Sequence, residues 1–235
     1  MMLIHWISEN VHWIFSGIGV FLLTGIITVV KLWSNRSRTN LKKLTEFYND
    51  SEEFFKDSKF DRAIEVLDES INMLPRRKKR EFSKYYKLHG KILNSQKKFS
   101  SAVDSLTKAL EIDPADGEIL HMRGYSHLNT SQYTNAIDDC TMALEFSQIA
   151  SSYANGGYAY YRLGNLDVAL KDYTCIIRLE PHRAHWYYRR ADIYRDMGEK
   201  QNAISDYKIA LEYDPDYYLA KDAKKSLGKL QQLVQ

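Results

Sequence analysis

The chain has 235 residues, with 33 Lys and Arg against 30 Asp and Glu, so its formal net charge is only +3. Mixed charge of this kind excludes a polyanion-binding surface over the whole molecule, and nucleic acid is not an expected partner. Eleven Gly and four Pro are too few for a turn-rich β-sandwich or a disordered chain, whereas 44% hydrophobic residues suffice for a core. Two cysteines, Cys140 and Cys175, cannot build a disulfide framework and fit a reducing compartment. Both fall where a helix would bury them as small core residues.

Between Val11 and Val30 there is no Lys, Arg, Asp or Glu. A helix rises about 1.5 Å per residue and the hydrocarbon of a bilayer is about 30 Å thick. Residues 11–33 are therefore expected to form one transmembrane helix, with Trp13 and Trp33 in the two headgroup belts. Glu9 precedes it; Lys31, Arg36, Arg38, Lys42 and Lys43 follow. That asymmetry makes 1–10 a short non-cytoplasmic tail and 34–43 a basic juxtamembrane linker on the cytoplasmic side. With no positive start and no small-residue cleavage site, the segment is expected to stay as a single-pass anchor. Its WIFSGIG opening is similar to short anchors of bacterial proteins, which favours a bacterial inner membrane over a mitochondrial outer membrane. Ser16, Gly17, Thr24 and Thr28 fall near one helix face, a small-residue seam through which homo-oligomerisation of the span would be an expectation to test.

Beyond the span a repeat emerges. Ala63, Ala102, Ala136, Ala169 and Ala203 are separated by 39, 34, 33 and 34 residues. Small residues at Ser51, Gly90, Gly124, Gly157 and Ala191 keep the same register, each with a bulkier partner three on, at Phe54, Leu93, His127, Tyr160 and Tyr194. Pro75, Pro114, Pro181 and Pro215 punctuate it. A fixed period of this length means stacked supersecondary units, none of which buries its own apolar face alone.

The last unit, Tyr187, Ala191, Tyr194, Ala203, Tyr207, Ala210 and Pro215, resembles the tetratricopeptide repeat family, and the units around Tyr86–Pro114 and Tyr153–Pro181 carry the same pattern. The first and third are degenerate, with Ser70 in place of Ala and Gln148 in place of Pro. The resemblance implies an all-α helical solenoid of about five helix-turn-helix repeats over 44–217, divided as 44–77, 83–116, 117–149, 150–183 and 184–217. In the tail, Leu219, Ala223, Leu227, Leu230 and Val234 form one helical stripe, so 218–235 is expected to be a capping helix.

Catalytic and metal-binding motifs are missing from the sequence, so no cofactor, no metal site and no enzymatic activity are expected. Asp138-Asp139 is read as a solvated helix face. The resemblance implies instead a concave groove lined by the first helix of each unit. Counting within the register places Lys84, Lys87, Lys91, Glu118, His121, Tyr125, Asn155, Tyr158, Tyr161, Arg162, His185, Tyr188, Arg189, Asp192 and Arg195 there. The binding residues are expected to be Lys87, Lys91, His121, Tyr125, Asn155, Tyr158, Arg162, His185, Tyr188 and Arg189. This basic and aromatic set suits an acidic peptide. Family members that clamp a chaperone's C-terminal carboxylate use Lys, Asn, Asn, Lys and Arg. Asn155 and Arg189 match that set, but His121, Tyr125 and His185 depart from it.

Five residues inserted after the first unit fall in or beside the run Arg76, Arg77, Lys78, Lys79 and Arg80, which suits contact with anionic lipid. The function expected is that of a membrane-anchored adaptor that captures a partner protein in its groove. The alternatives are a membrane-perturbing effector whose span oligomerises under control of the repeats, and a structural subunit of a membrane complex.

Overall fold

The computed structural model describes the backbone of residues 17–75, 79–147 and 149–232, and the side chains of these except 17–24 and 32–38. All regular structure among the described residues is helical, and the chain divides into two compact units, 1–75 and 76–235.

The first unit is a helix pair, α1 (Gly17–Lys56) and α2 (Phe60–Met73). Leu44, Ala63 and Leu67 are buried, and Ser51 Oγ donates to the Ala63 carbonyl at 2.8 Å. Residues 34–43, expected as a linker, lie within α1, because neither Pro nor Gly interrupts the stretch. The tail 1–10 and the first part of the expected span lie outside the described residues. Among the described residues no helix is long and apolar enough to cross a membrane.

The second unit opens on a 3-10 turn, Arg80–Phe82. Four helix pairs follow: α3 (Ser83–Ser95) with α4 (Phe99–Ile112), α5 (Gly117–Asn129) with α6 (Tyr133–Phe146), α7 (Ala150–Arg162) with α8 (Leu166–Leu179), and α9 (Ala184–Asp196) with α10 (Lys200–Tyr213). Helix α11 (Ala220–Gln232) packs on α10. The repeat alanines sit where two backbones meet: Ala102, Ala136, Ala169 and Ala203 are completely buried. Glycines serve the same contact from the other helix. A Cβ on Gly90 would lie 2.5 Å from Leu106 Cγ, and one on Gly157 would lie 3.0 Å from Asp172 Cβ.

Each pair turns through one residue in the left-handed region: Lys97, Ser131, Gly164 and Gly198, with Ser58 doing so in the first unit. The hydrogen bonds there follow the Schellman pattern, as with Lys98 N to Leu93 O at 2.9 Å and Lys97 N to Asn94 O at 3.0 Å. The acceptors of the longer bond are Phe54, Leu93, His127, Tyr160 and Tyr194, the bulky residues of the repeat. Prolines act at the other end. Helices α4, α8 and α10 stop two residues before Pro114, Pro181 and Pro215, since the residue before a proline avoids the helical region. On α11, Ala223 and Leu230 are buried against α10, with Leu219 and Leu227 packed beside them, while Val234 lies outside the described residues.

Two expectations are corrected. Asp139 is not solvated: it is 3% exposed and accepts two hydrogen bonds from Arg123, at 2.8 and 2.6 Å. Burial of the two cysteines holds for Cys140, whereas Cys175 is half-buried.

Candidate binding cleft

A cleft of about 620 Å³ opens across α5 to α9. Helix α7 supplies Asn155, Tyr158 and Arg162, one turn apart on one face, and α9 supplies His185, Trp186 and Arg189 opposite them. Tyr125, Tyr133 and Tyr218 complete the walls. The rings hold the cations. Arg162 lies over Tyr133 and Tyr158, 4.9 and 5.7 Å from their centroids, and donates to Tyr158 Oη at 3.0 Å. Arg189 lies over Tyr158 from the other side of the cleft at 5.3 Å. Among the described residues neither arginine reaches a carboxylate within ion-pairing distance, so both charges stay available for an anion.

The two histidines contribute shape more than charge. Burial, aided by Arg189, pushes His185 down to about 4, so it is neutral at physiological pH. It sits 3.1 Å from Tyr218 Oη and stacks on that ring. Burial also lowers His121, whose ring nitrogens meet Ser152 Oγ at 3.0 Å and Ser151 Oγ at 3.2 Å. With Lys91, Glu118 and Tyr125 it lines a neighbouring hollow of about 380 Å³.

Of the ten residues expected to bind, the structure brings Tyr125, Asn155, Tyr158, Arg162, His185 and Arg189 together in the large cleft, and Lys91, His121 and Tyr125 in the smaller hollow. Two are used otherwise. Tyr188 is 7% exposed and packs edge-on against Tyr207 and Tyr217, as part of the core. Lys87 is held by Asp116 at 3.0 Å and Glu118 at 2.6 Å, and Asp116 itself caps α5 by accepting from the Glu118 and Ile119 backbone amides. Asp192 and Arg195, also placed in the groove by their register, form a largely buried cluster instead. There Tyr207 Oη donates to Asp192 Oδ1 at 2.6 Å and Arg195 reaches the same oxygen at 2.7 Å. Of the basic run, 76–78 lie outside the described residues, Lys79 pairs with Glu81 at 3.5 Å and Arg80 with Asp113 at 2.8 Å.

Sequence reasoning missed Tyr133, Trp186 and Tyr218. Tyr133 opens a second helix and Tyr218 lies in the connection before α11, so a count restricted to first helices passes both over. Trp186 lies on a first helix, beside His185, and its aromatic size is the available signal. No group of three or more His, Cys, Asp or Glu able to hold a metal occurs among the described residues.

The chain is similar to known proteins over this region. Models of the tetratricopeptide repeat match residues 83–116 and 155–218. Mouse RNA polymerase II-associated protein 3 is 26% identical over 138 residues, which cover 58% of this chain and 20% of that protein. Mouse serine/threonine-protein phosphatase 5 is 31% identical over 127 residues, 52% of this chain and 25% of that one. The chain thus spans only about a fifth to a quarter of the length of these curated relatives. Among solved structures, YrrB, described as a tetratricopeptide protein with an unusual peptide-binding site, superimposes with a TM-score of 0.65 at 20% identity, covering 76% of this chain and 90% of that one. At that identity the likeness is one of fold. Residues 83–116 and 155–218 are tetratricopeptide repeats, and the second unit has the fold of an all-α tetratricopeptide helical solenoid.

Proposed function

We propose that the chain is a non-catalytic adaptor whose cleft captures an acidic segment of another protein. The observation that carries this reading is the pairing of Arg162 and Arg189 with tyrosine faces and not with carboxylates. A ring-held guanidinium is already oriented and needs no internal salt bridge broken before it takes a ligand carboxylate. Tyr125, Tyr133, Tyr158 and Tyr218 add contact area at small entropic cost. The peptide-binding site named for YrrB makes a peptide a reasonable occupant here too.

The adaptor is proposed to sit on a membrane through residues 11–33, with its N-terminus outside and the repeats in the cytoplasm of a bacterial cell. The support is the uncharged run in the sequence, together with Ile26, Ile27, Val29 and Val30, which α1 leaves more than half exposed. Tethering would raise the local concentration of whatever the cleft holds. The basic run 76–80 is proposed as an added contact with anionic lipid, on its sequence alone.

The test is in-cell crosslinking with mass spectrometry, comparing the natural chain with an Arg162→Glu, Arg189→Glu variant, in membrane and soluble fractions. A partner recovered from the membrane fraction and lost in the variant supports the reading. Partners indifferent to both arginines would overturn the cleft, and recovery in the soluble fraction would overturn the anchor.

A further inference from the structure

Away from this cleft, one position departs from a pairing that every other helix pair of the second unit keeps. The residues before the packing glycine or alanine are His89, Arg123, Gly156 and Arg190, and sixteen residues after each stand Ser105, Asp139, Asp172 and Asp206. His89 meets Ser105 Oγ at 2.8 Å. Arg123 is bidentate to Asp139, and Arg190 is bidentate to Asp206 at 2.7 and 3.0 Å. The same two arginines reach back to a threonine of the preceding helix pair, Thr107 at 3.2 Å and Thr174 at 3.4 Å. Arg190 also lies over the Tyr194 ring at 5.8 Å.

At α7 the arginine is replaced by Gly156, yet what would surround it is all present. Asp172 stands on α8 where Asp139 and Asp206 stand on α6 and α10. Thr141 holds the place of Thr107 and Thr174, five residues beyond its repeat alanine, and Tyr160 holds that of Tyr194. Where the guanidinium would be, there is a cleft of about 360 Å³ lined by Thr141, Leu144, Glu145, Gly156, Tyr160 and Asp172. Among the described residues Asp172 has neither a hydrogen bond nor an ion pair, and burial pushes its carboxyl up to about 6. Thr141, Glu145 and Val168 are exposed, so the cleft opens to solvent.

We propose that this cleft is a socket for the guanidinium of an arginine presented by a partner polypeptide. The chain's own Arg123 and Arg190 show the binding mode: a bidentate fork on the aspartate, a third hydrogen bond to threonine and, for Arg190, a tyrosine face. A lysine would engage the aspartate only as a point charge and forgo that fork. Among the described residues Asp172 and Glu145 are the carboxylates of the lining, and it holds no cation. The α-carboxylate of free arginine would therefore meet like charge, whereas an arginine within a chain carries none. The socket is separate from the larger cleft and does not depend on its reading.

The test uses the full chain in detergent micelles with methyl-labelled Leu and Val, following Leu144 and Val168 by NMR during titration with acetylated, amidated Gly-Arg-Gly. Saturable shifts are expected, at least tenfold weaker with Gly-Lys-Gly and absent with Gly-Gln-Gly. Asp172→Asn is expected to abolish them. Gly156→Arg is expected to abolish them too, by filling the socket from within, and to raise the melting temperature. A Cβ at 156 starts 3.4 Å from Asp172 Oδ2, in ordinary contact. Equal response to the Arg and Gln peptides, binding that survives Asp172→Asn, or a folded Gly156→Arg that still binds would each overturn the proposal. Tighter binding of free L-arginine than of the peptide would overturn its assignment to a polypeptide. Should Gly156→Arg not fold, the peptide contrast and Asp172→Asn decide.

Discussion

Arg189 lies over one side of the Tyr158 ring, 5.3 Å from its centroid, and Arg162 donates to the hydroxyl of that same ring at 3.0 Å. One tyrosine of α7 therefore orients two cations carried by different helices. Arg189→Ala is expected to weaken partner capture by about ten- to a hundredfold, in the range of a binding hot spot, and Tyr158→Phe to weaken it less, since the ring under Arg189 remains. Stability should move by only about 0.5 kcal/mol for Arg189→Ala, because no hydrogen bond of the core is lost. Quantitative crosslinking beside a thermal melt checks both halves of the expectation.

Arg190→Ala should behave in the opposite way. It leaves Asp206, 3% exposed, as an unpaired charge between α9 and α10. Removing one partner of such a pair costs about 3 kcal/mol, whereas replacing both is far milder. The single variant is expected to lower the melting temperature markedly, and Arg190→Met with Asp206→Leu to recover most of the loss. A double-mutant cycle by thermal or urea unfolding measures the difference. Partner capture by the remaining folded molecules should be unchanged.

The contrast between these two arginines marks what the sequence could and could not disclose. The repeat alanines, glycines and prolines were legible because each answers a one-body requirement: a close backbone approach, or a helix stop. The arginines and tyrosines were not sorted by the register alone. Arg189 and Arg190 are neighbours on α9, yet one faces the cleft and the other a buried aspartate of the next helix. Helical spacing assigns Tyr188 and Lys87 to the groove, but spacing does not say which face a neighbouring tyrosine or carboxylate already occupies. Asp139 shows the same limit. Its role depends on Arg123, sixteen residues earlier, and appears in the sequence only when that pair is compared with Arg190 and Asp206.

Turn chemistry gives a test of local strain. Lys97 and Gly198 occupy equivalent turns at φ of 60° and 80°, but only glycine adopts that region without a steric penalty. Lys97→Gly is expected to stabilise the chain by about 0.5 to 1 kcal/mol, and Gly198→Ala to destabilise it by about 1 kcal/mol. No contact is lost in the second case, since a Cβ at 198 meets nothing within 4 Å. Midpoint shifts of opposite sign in urea, with unchanged slopes, are the expected signature.

The empty arginine position predicts a pH dependence of stability with a definite sign. Burial raises the Asp172 carboxyl from 3.8 to about 6, so between those values the folded state binds more protons than the unfolded one. Stability contributed by this group is therefore full below about pH 4 and is lost as pH rises through about 6. The loss is about 1 kcal/mol, because the carboxylate is only part-buried and water screens it. Cys140, in the same cleft, is pushed up to about 12 by burial and stays neutral throughout this window. Asp172→Asn should remove the slope and raise stability at pH 7 by a similar amount, while Asp206→Asn, which breaks a satisfied pair, should lower it. Urea unfolding of the three chains at pH 5 and pH 7 separates these outcomes. A natural chain no less stable at pH 7 than the Asp172→Asn variant would mean that the Asp172 charge already has a partner within the fold.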